Sequence, residues 1–279
     1  MKILVTGAQG YIGYGVVKQL IKDGHNIIAT DIQEQNGNYE VEYVKADIFN
    51  IANPYDYFGK PDALLHLAWR DGFQHNASTH IDDLHKHYHF VERLVNSGIN
   101  QVCILGSVHE VGFFEGSVKE DTPTKPQSLY GISKNALRYA TELITKNTDT
   151  IFQWIRGYYI VGNTGMGCSV FSKITAAEMK GQNEFPFTEG KNQFDFLNYD
   201  EFCYQVASVV EQTKINGIIN CCSGYPQKIG ARVEQFITDN NYKIRLKYGA
   251  FPDRPYDSKA VWGDNQKIES ILEARKNES

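Results

Sequence analysis

Short apolar runs of β type alternate with helical patterns through the first 155 residues, and this alternation leaves few folds open. Residues 3–5 precede a helical stretch at 14–21. Runs at 27–30 and 41–44 follow, then 63–67 before a helix at 81–95, 102–105 before a helix at 129–144, and 151–155. Strands apolar along nearly their whole length are buried on both faces, and intervening helices are what cover them. The expectation is an α/β fold, a doubly wound parallel sheet.

Beyond 157 the pattern loosens. It predicts a helix at 170–179, a strand near 193–197, helices near 200–212 and 232–240, and a last helix near 265–274. We read residues 1–157 as one sheet domain and 158–279 as mainly a smaller C-terminal lobe. A segment near 195–222 is expected to return to the main sheet, because 217–222 has the look of a buried strand.

The 279 residues, 42% of them apolar, suffice for a substantial core. Lys and Arg number 28 against 33 Asp and Glu, so the net charge of −5 gives no basic footprint for nucleic acid or an acidic membrane. A small-molecule partner is expected. The first strand begins at Lys2 and no run is long enough to span a bilayer, which points to a cytoplasmic protein. Five cysteines (Cys103, Cys168, Cys203, Cys221 and Cys222) lack paired zinc spacing and read as reduced thiols, mostly in the core.

Between the first strand and its helix runs Gly7-Ala8-Gln9-Gly10-Tyr11-Ile12-Gly13. Glycines there permit a tight turn and close approach of a pyrophosphate to the helix N-terminus, the arrangement of a Rossmann nucleotide site. Asp31, ending the second strand, is placed to bind the adenosine ribose hydroxyls and repel a 2′-phosphate, so NAD(H) is favoured and NADP(H) remains possible. Asp47 and Ile48, ending the next strand, are candidates to flank the adenine. Further on, Tyr130 and Lys134 stand one helical turn apart. A phenol with a pKa of about 10 is a poor acid or base at neutral pH, and an ammonium at i+4 is a direct way to favour its phenolate.

With these residues the chain resembles the extended short-chain dehydrogenase/reductase family of nucleotide-sugar epimerases, dehydratases and reductases. The likeness runs through Thr6 to Gly13, Asp31, Asp47-Ile48, His66-Leu67-Ala68, Ser107 before Val111-Gly112, Tyr130 to Lys134, 156–162, Asp195-Phe196 before Asp200-Glu201, and Arg254. It implies that Tyr130 is the acid/base on a sugar oxygen, that Ser107 hydrogen-bonds the same oxygen, and that Lys134 binds the nicotinamide ribose and lowers the phenol pKa. By the same resemblance Ile32, Leu67, Ala68 and Trp69 line the cofactor. Arg70, Ser107, His109, Tyr159 and Arg254 face a nucleotide-sugar substrate, with Arg254 on its diphosphate. Tyr159 departs from the family, since many relatives carry an asparagine there. A homodimer and a role in polysaccharide sugar biosynthesis are further implications.

The 4,6-dehydratases of the family carry an Asp-Glu pair after the serine or threonine, where this chain has Val108 and His109, so dehydration is not expected. His109 is open to three roles: moving a proton beside the ketone, contacting the substrate, or standing as a buried imidazole. Ketone reduction needs only a hydride, Tyr130 and Ser107. The runs 68–73, 106–112 and 154–159 resemble a subgroup containing reductases of 4-keto-6-deoxy nucleotide sugars. The expectation is therefore a 4-ketoreductase of a nucleotide-linked 4-keto-6-deoxy sugar. A nucleotide-sugar 4-epimerase is the alternative, and a non-catalytic NAD(H)-binding regulator stands for a different class. Five of eight histidines lie between 75 and 89, and His85 and His89 share a helix face. No cysteine or carboxylate cluster completes a metal site there, so no metal is assigned and a solvated or interface helix is favoured.

Overall fold

A computed structural model describes residues 1–35, 41–162, 169–252 and 258–278. The elements in chain order are β1 (Lys2–Thr6), α1 (Tyr11–Lys22), β2 (Asn26–Asp31), β3 (Glu42–Lys45), α2 (Pro54–Tyr57), β4 (Ala63–His66), α3 (Thr79–Asp82), α4 (Leu84–Asn96), β5 (Gln101–Ser107), β6 (Gly116–Val118), α5 (Leu129–Thr145) and β7 (Ile151–Gly157). Then come β8 (Tyr159–Val161), α6 (Val170–Met179), β9 (Glu184–Pro186), β10 (Gln193–Asn198), α7 (Tyr199–Val210), β11 (Gly217–Cys221), β12 (Pro226–Lys228), α8 (Ile229–Asp239), β13 (Arg245–Lys247), β14 (Ala260–Gly263) and α9 (Gln266–Glu278).

Seven parallel strands form the main sheet in the order β11-β7-β5-β4-β1-β2-β3. Its two faces explain the continuous apolar runs. Ile3, Val5, Ala29, Leu65, Cys103 and Ile155 pack toward α1, α7 and α9, whereas the intervening Leu4, Ile28, Leu64, Val102, Ile104 and Trp154 pack toward α4 and α5. Each such side chain removed from water contributes about 1.5–3 kcal/mol, which is why both faces stay apolar. The order reverses between β1 and β4, so a crevice opens beyond the carboxyl ends of these strands. Thr6, Asp31, His66 and Ser107 are the last residues of their strands.

A smaller sheet runs β12-β10-β14-β6, with β8 on β10, and β9 pairs β13 separately. Its core is rich in aromatics, among them Phe171, Phe194, Phe196 and Phe236. The strand at Gln193–Asn198 thus belongs to this sheet, and the chain rejoins the main body through α7 and β11. Near the C-terminus α9 packs against the main core through Ile268 and Ile271. Asp195 joins the two bodies: fully buried, it accepts hydrogen bonds from Ser223 N and Oγ (2.7 Å each), Gly224 N (2.9 Å) and Gly263 N (3.2 Å).

The helical stretch expected at 81–95 is broken at Asp83 into α3 and α4. There the buried Asp83 carboxylate takes Arg70 and Lys86 as partners, and these hold its pKa below the ordinary value against the opposing effect of burial. The four described cysteines are free and buried; Cys168 lies outside the described residues.

Candidate active site

The glycine loop has the shape its sequence implies. Gly7 adopts φ +69°, and a Cβ there would stand 2.6 Å from Ala68 N, so the segment leaving β4 closes over the turn only because the residue is glycine. Gly10 N donates to Gly7 O at 3.0 Å. No side chain caps α1, and its first turn carries no acidic residue, which leaves the positive end of the helix to an anion. Asp31, nearly buried, accepts from Gln9 N (3.0 Å) and Gln33 N (3.1 Å), so this carboxylate also anchors the loop. These features fit a dinucleotide.

Other expected cofactor residues are placed as follows. Tyr11 is half-buried, its ring 4.6 Å from that of Tyr199, whose hydroxyl donates to the Tyr11 carbonyl. Ile12 packs against the main core and Ile32 is exposed. Asp47 caps the short 3₁₀ turn Ile48–Asn50, accepting from Phe49 N at 3.1 Å, and Ile48 is buried in the core. Leu67 N and Ala68 N donate to Thr6, at its carbonyl (3.2 Å) and hydroxyl (3.3 Å) oxygens.

Ser107, Tyr130 and Lys134 come together. Ser107 ends β5 beside Gly157 of β7, and Tyr130 and Lys134 lie on the first two turns of α5, which Ser128 caps through Gly131 N at 3.1 Å. A Cβ on Gly131 would collide with the His109 carbonyl group, so the glycine lets α5 approach the turn after Ser107. Ser107 hydrogen-bonds the Tyr130 hydroxyl. Burial nevertheless raises the Tyr130 pKa well above 10, with the Ser107 bond opposing and the Glu110 charge adding to the rise.

Here the electrostatics differ from expectation. The buried Lys134 ammonium donates to Leu105 O at 2.7 Å and lies 3.8 Å from the Trp69 ring centre, but 5.9 Å from that of Tyr130. Burial lowers its pKa from 10.5 to about 7, against the pull of Glu110. Spacing of i+4 puts the two side chains on one face; it does not aim the amine at the phenol. The phenol is therefore held as a neutral acid.

Glu110 was not foreseen as part of this arrangement. Fully buried, it accepts from Ser107 N (2.5 Å) and from Trp154 Nε1 (2.9 Å to each oxygen), with Arg156 and Arg138 nitrogens at 3.7 and 3.8 Å. It fixes the backbone of the serine. A carboxylate in the run Val108-His109-Glu110-Val111, with arginines to match at 138 and 156, was the available signal.

Histidines surround the phenol. His75 stacks on Tyr130 (centroids 5.4 Å apart, planes 13° apart), and His109 lies 4.3 Å from His75 and 6.0 Å from Tyr130. Burial, helped by His75, brings the His109 pKa from 6.5 to about 4, so its imidazole is neutral at pH 7. Trp69 meets Tyr130 edge-on at 6.2 Å and stacks on His87 at 4.4 Å. Its Nε1 donates to His80 Nδ1 at 3.0 Å, which leaves His80 Nε2 to donate to Gln74 O, also at 3.0 Å. Below them Thr6 Oγ1, His66 and His87 form a buried chain with 2.8 Å links. Burial, with a smaller contribution from Lys134, brings His66 to about 3. His85 and His89 are exposed, and among the described residues no group of three or more His, Cys, Asp or Glu could hold a metal ion.

Of the expected substrate residues, Arg70 pairs with Asp83, and Tyr159 packs on Phe194 at 4.6 Å in the smaller sheet. Arg254 lies outside the described residues. Among the described residues no helix is long and apolar enough to cross a membrane.

An open parallel sheet with a glycine cradle at its switch point, and a serine, phenol and amine gathered beside it, defines a hydride-transferring α/β enzyme. The chain belongs to the NAD dependent epimerase/dehydratase family, whose model matches residues 3–222. A dTDP-6-deoxy-L-talose 4-dehydrogenase (NAD(+)) from Aggregatibacter actinomycetemcomitans is 38% identical over 269 residues, covering 94% of this chain and 99% of that protein. Among solved structures, MoeE5 in complex with UDP-glucuronic acid and NAD superposes with TM-score 0.83 at 20% identity, covering 98% of this chain and 93% of that one. The UDP-glucose 4-epimerase of Thermotoga maritima, bound to UDP-glucose, gives 0.81 at 18% identity and covers both chains in full. Both share the fold.

Proposed function

We propose that the protein is an NAD(H)-dependent 4-ketoreductase of a dTDP-linked 4-keto-6-deoxy sugar, catalysing the same reaction in reverse as a 4-dehydrogenase. The observation that carries this reading is a neutral, partly buried Tyr130 phenol bonded to Ser107, with the neighbouring carboxylate, Glu110, committed to Ser107 N and Trp154. Among the described residues the site holds one phenolic proton donor and no acid–base pair for eliminating water. The relative that oxidises a dTDP-6-deoxy sugar at C4 with NAD+ supports both the position and the cofactor.

When bound, NADH supplies hydride to C4 of the ketone. Ser107 Oγ holds the carbonyl oxygen beside the phenol, and Tyr130 gives its proton to that oxygen as negative charge develops there. Proton donation by a positioned side chain contributes about 10²–10⁴-fold. Lys134 and Asp31 would hold the nicotinamide and adenosine riboses. Exposed Ile132, Tyr139 and Leu143 on α5 form an apolar stripe suited to a homodimer interface.

The test is incubation with dTDP-4-dehydro-6-deoxyglucose and NADH, and with dTDP-6-deoxy-L-talose and NAD+, followed at 340 nm. Turnover in either pair, lost at least about 100-fold in Tyr130→Phe, supports the reading. Interconversion of UDP-sugars without cofactor consumption would establish the epimerase instead. Cofactor binding with no turnover of either sugar would leave a regulator.

A further inference from the structure

His75 belongs to a loop that meets the start of α5 in two ways. Its carbonyl oxygen accepts from Tyr130 N at 2.9 Å, and the next residue, Asn76, accepts from Leu129 N at 3.3 Å. These are among the first donors of α5, which have no partner within the helix. The His75 imidazole then lies flat against the phenol of the same tyrosine, while Trp69, His80 and His109 meet that ring at 80°, 60° and 69°. Among these four rings, His75 alone covers a face.

The loop is built to hold that ring still. Asp71 sits at φ +57°, its carbonyl takes Gln74 N at 2.7 Å, and its carboxylate takes the Thr79 hydroxyl at 2.8 Å. Gln74 O accepts from Ala77 N at 2.8 Å and from His80 Nε2. Through Trp69 Nε1, His80 is fixed to the ring that packs on Lys134.

We propose that His75 is a positioning residue for the Tyr130 phenol: its ring fixes the plane in which the hydroxyl reaches Ser107, and so ties the 71–78 loop to proton transfer. This rests on the ketoreductase reading for its effect on turnover, though not for its effect on the phenol itself. The phenolic oxygen lies on the axis of ring rotation, but its O–H prefers the ring plane, so a stacked ring keeps the proton pointing one way whereas a rotating ring sweeps that direction round. Stacking needs a flat ring rather than an imidazole nitrogen. The backbone bond from Tyr130 N survives any substitution at 75, which isolates the ring.

The experiment compares His75→Ala and His75→Phe in the full-length protein, with Tyr130→Phe alongside. With dTDP-6-deoxy-L-talose and NAD+, His75→Ala is expected to lower kcat about tenfold, the scale of one aromatic pair, with the NAD+ KM within twofold, and His75→Phe to recover most of the loss. Independently of any sugar, ring flipping of Tyr130 followed by 13C aromatic NMR should accelerate in His75→Ala and stay slow in His75→Phe. A Phe variant as slow in turnover as the Ala variant overturns the proposal, as does a flip rate unchanged in His75→Ala. So does a loss confined to the sugar KM, the mark of a substrate contact. If His75→Ala does not fold, the Phe variant decides the matter through its kcat and flip rate. Full activity in Tyr130→Phe would remove the ketoreductase mechanism while leaving the flip measurement to judge His75.

Discussion

Alanine at Gly10 and at Gly13 should fail in opposite ways. Gly10 has φ −69° and ψ 164°, which alanine adopts freely, and the only neighbour within 4 Å of an added Cβ is Gly7 O at 3.1 Å. On stability alone, Gly10→Ala is expected to change little, within about 1 kcal/mol, because the less flexible unfolded chain is set against the close contact with Gly7 O. Its methyl, however, would stand at the N-cap of α1, where a pyrophosphate reaching the helix N-terminus needs close approach to the backbone. Losing one or two charge-assisted hydrogen bonds, at about 1.5–3 kcal/mol each, raises the NADH dissociation constant at least about tenfold. At Gly13 a Cβ would be driven into the Gly7 carbonyl oxygen and stand 2.9 Å from Ala8 Cα, both backbone atoms that cannot rotate away. Helix α1 would have to move off the sheet, where Val16, Val17 and Leu20 are fully buried. Overpacking of this kind costs about 1–3 kcal/mol, or roughly 2–12 °C in Tm for a chain of this size. Differential scanning calorimetry and quenching of tryptophan fluorescence by NADH separate the two. Wild-type NADH affinity in Gly10→Ala, or a wild-type Tm in Gly13→Ala, would refute the cradle as described.

Asp31→Ala should raise the NADH KM about ten- to hundredfold without a matching gain for NADPH, because the carboxylate also holds Gln9 N and Gln33 N; steady-state kinetics with both cofactors show it, and an unchanged NADH KM removes Asp31 from the site. Glu110→Ala leaves two buried guanidinium groups, Trp154 Nε1 and Ser107 N without their carboxylate, a loss of about 3–5 kcal/mol, so Tm should fall by roughly 6–20 °C. A fall below about 2 °C would show that the charge network is not structural. Lys134 gives a pH signature: its folded pKa of about 7 lies below its ordinary 10.5, so the cost of burying the ammonium is present in full below pH 7 and is relieved as pH rises from 7 to 10.5. The difference in urea stability between Lys134→Met and wild type should therefore shrink over that range, and a constant difference from pH 6 to 9 would contradict it.

The features that could be read from the sequence are those encoded within a few residues. Continuous apolar strands, the glycine loop and the Tyr130–Lys134 pair depend on local spacing, and the sheet, the cradle and the gathering with Ser107 are all present. Strands β8, β9, β12, β13 and β14 escaped notice because they span three or four residues and pair with partners far along the chain. The rings around Tyr130 were hidden for a related reason. Residues 69, 75, 80 and 109 come from the β4–α3 loop, α3 and the turn after β5, and only the assembled sheet brings them to one phenol. Asp83 shows the limit of periodicity: apolar spacing runs straight through 81–95, yet a buried carboxylate gathering Arg70 and Lys86 breaks the helix in two.

The charge states of the site argue for a direction. Sequence spacing suggested an ammonium that makes a phenolate, the form needed to take a proton from an alcohol. Instead the amine turns to Leu105 O and Trp69, is half-discharged near pH 7, and leaves a phenol that keeps its proton. His66 and His109, at about 3 and 4, and the buried His87 beneath Trp69, are neutral there too. Neutral imidazoles and a protonated phenol, with the Glu110 carboxylate paired to Arg138 and Arg156, stabilise a developing alkoxide better than they abstract a proton. On the proposed reading, the free site favours reduction at neutral pH, and oxidation must first ionise Tyr130. Its kcat/KM should rise with pH above 7, whereas that for reduction should not.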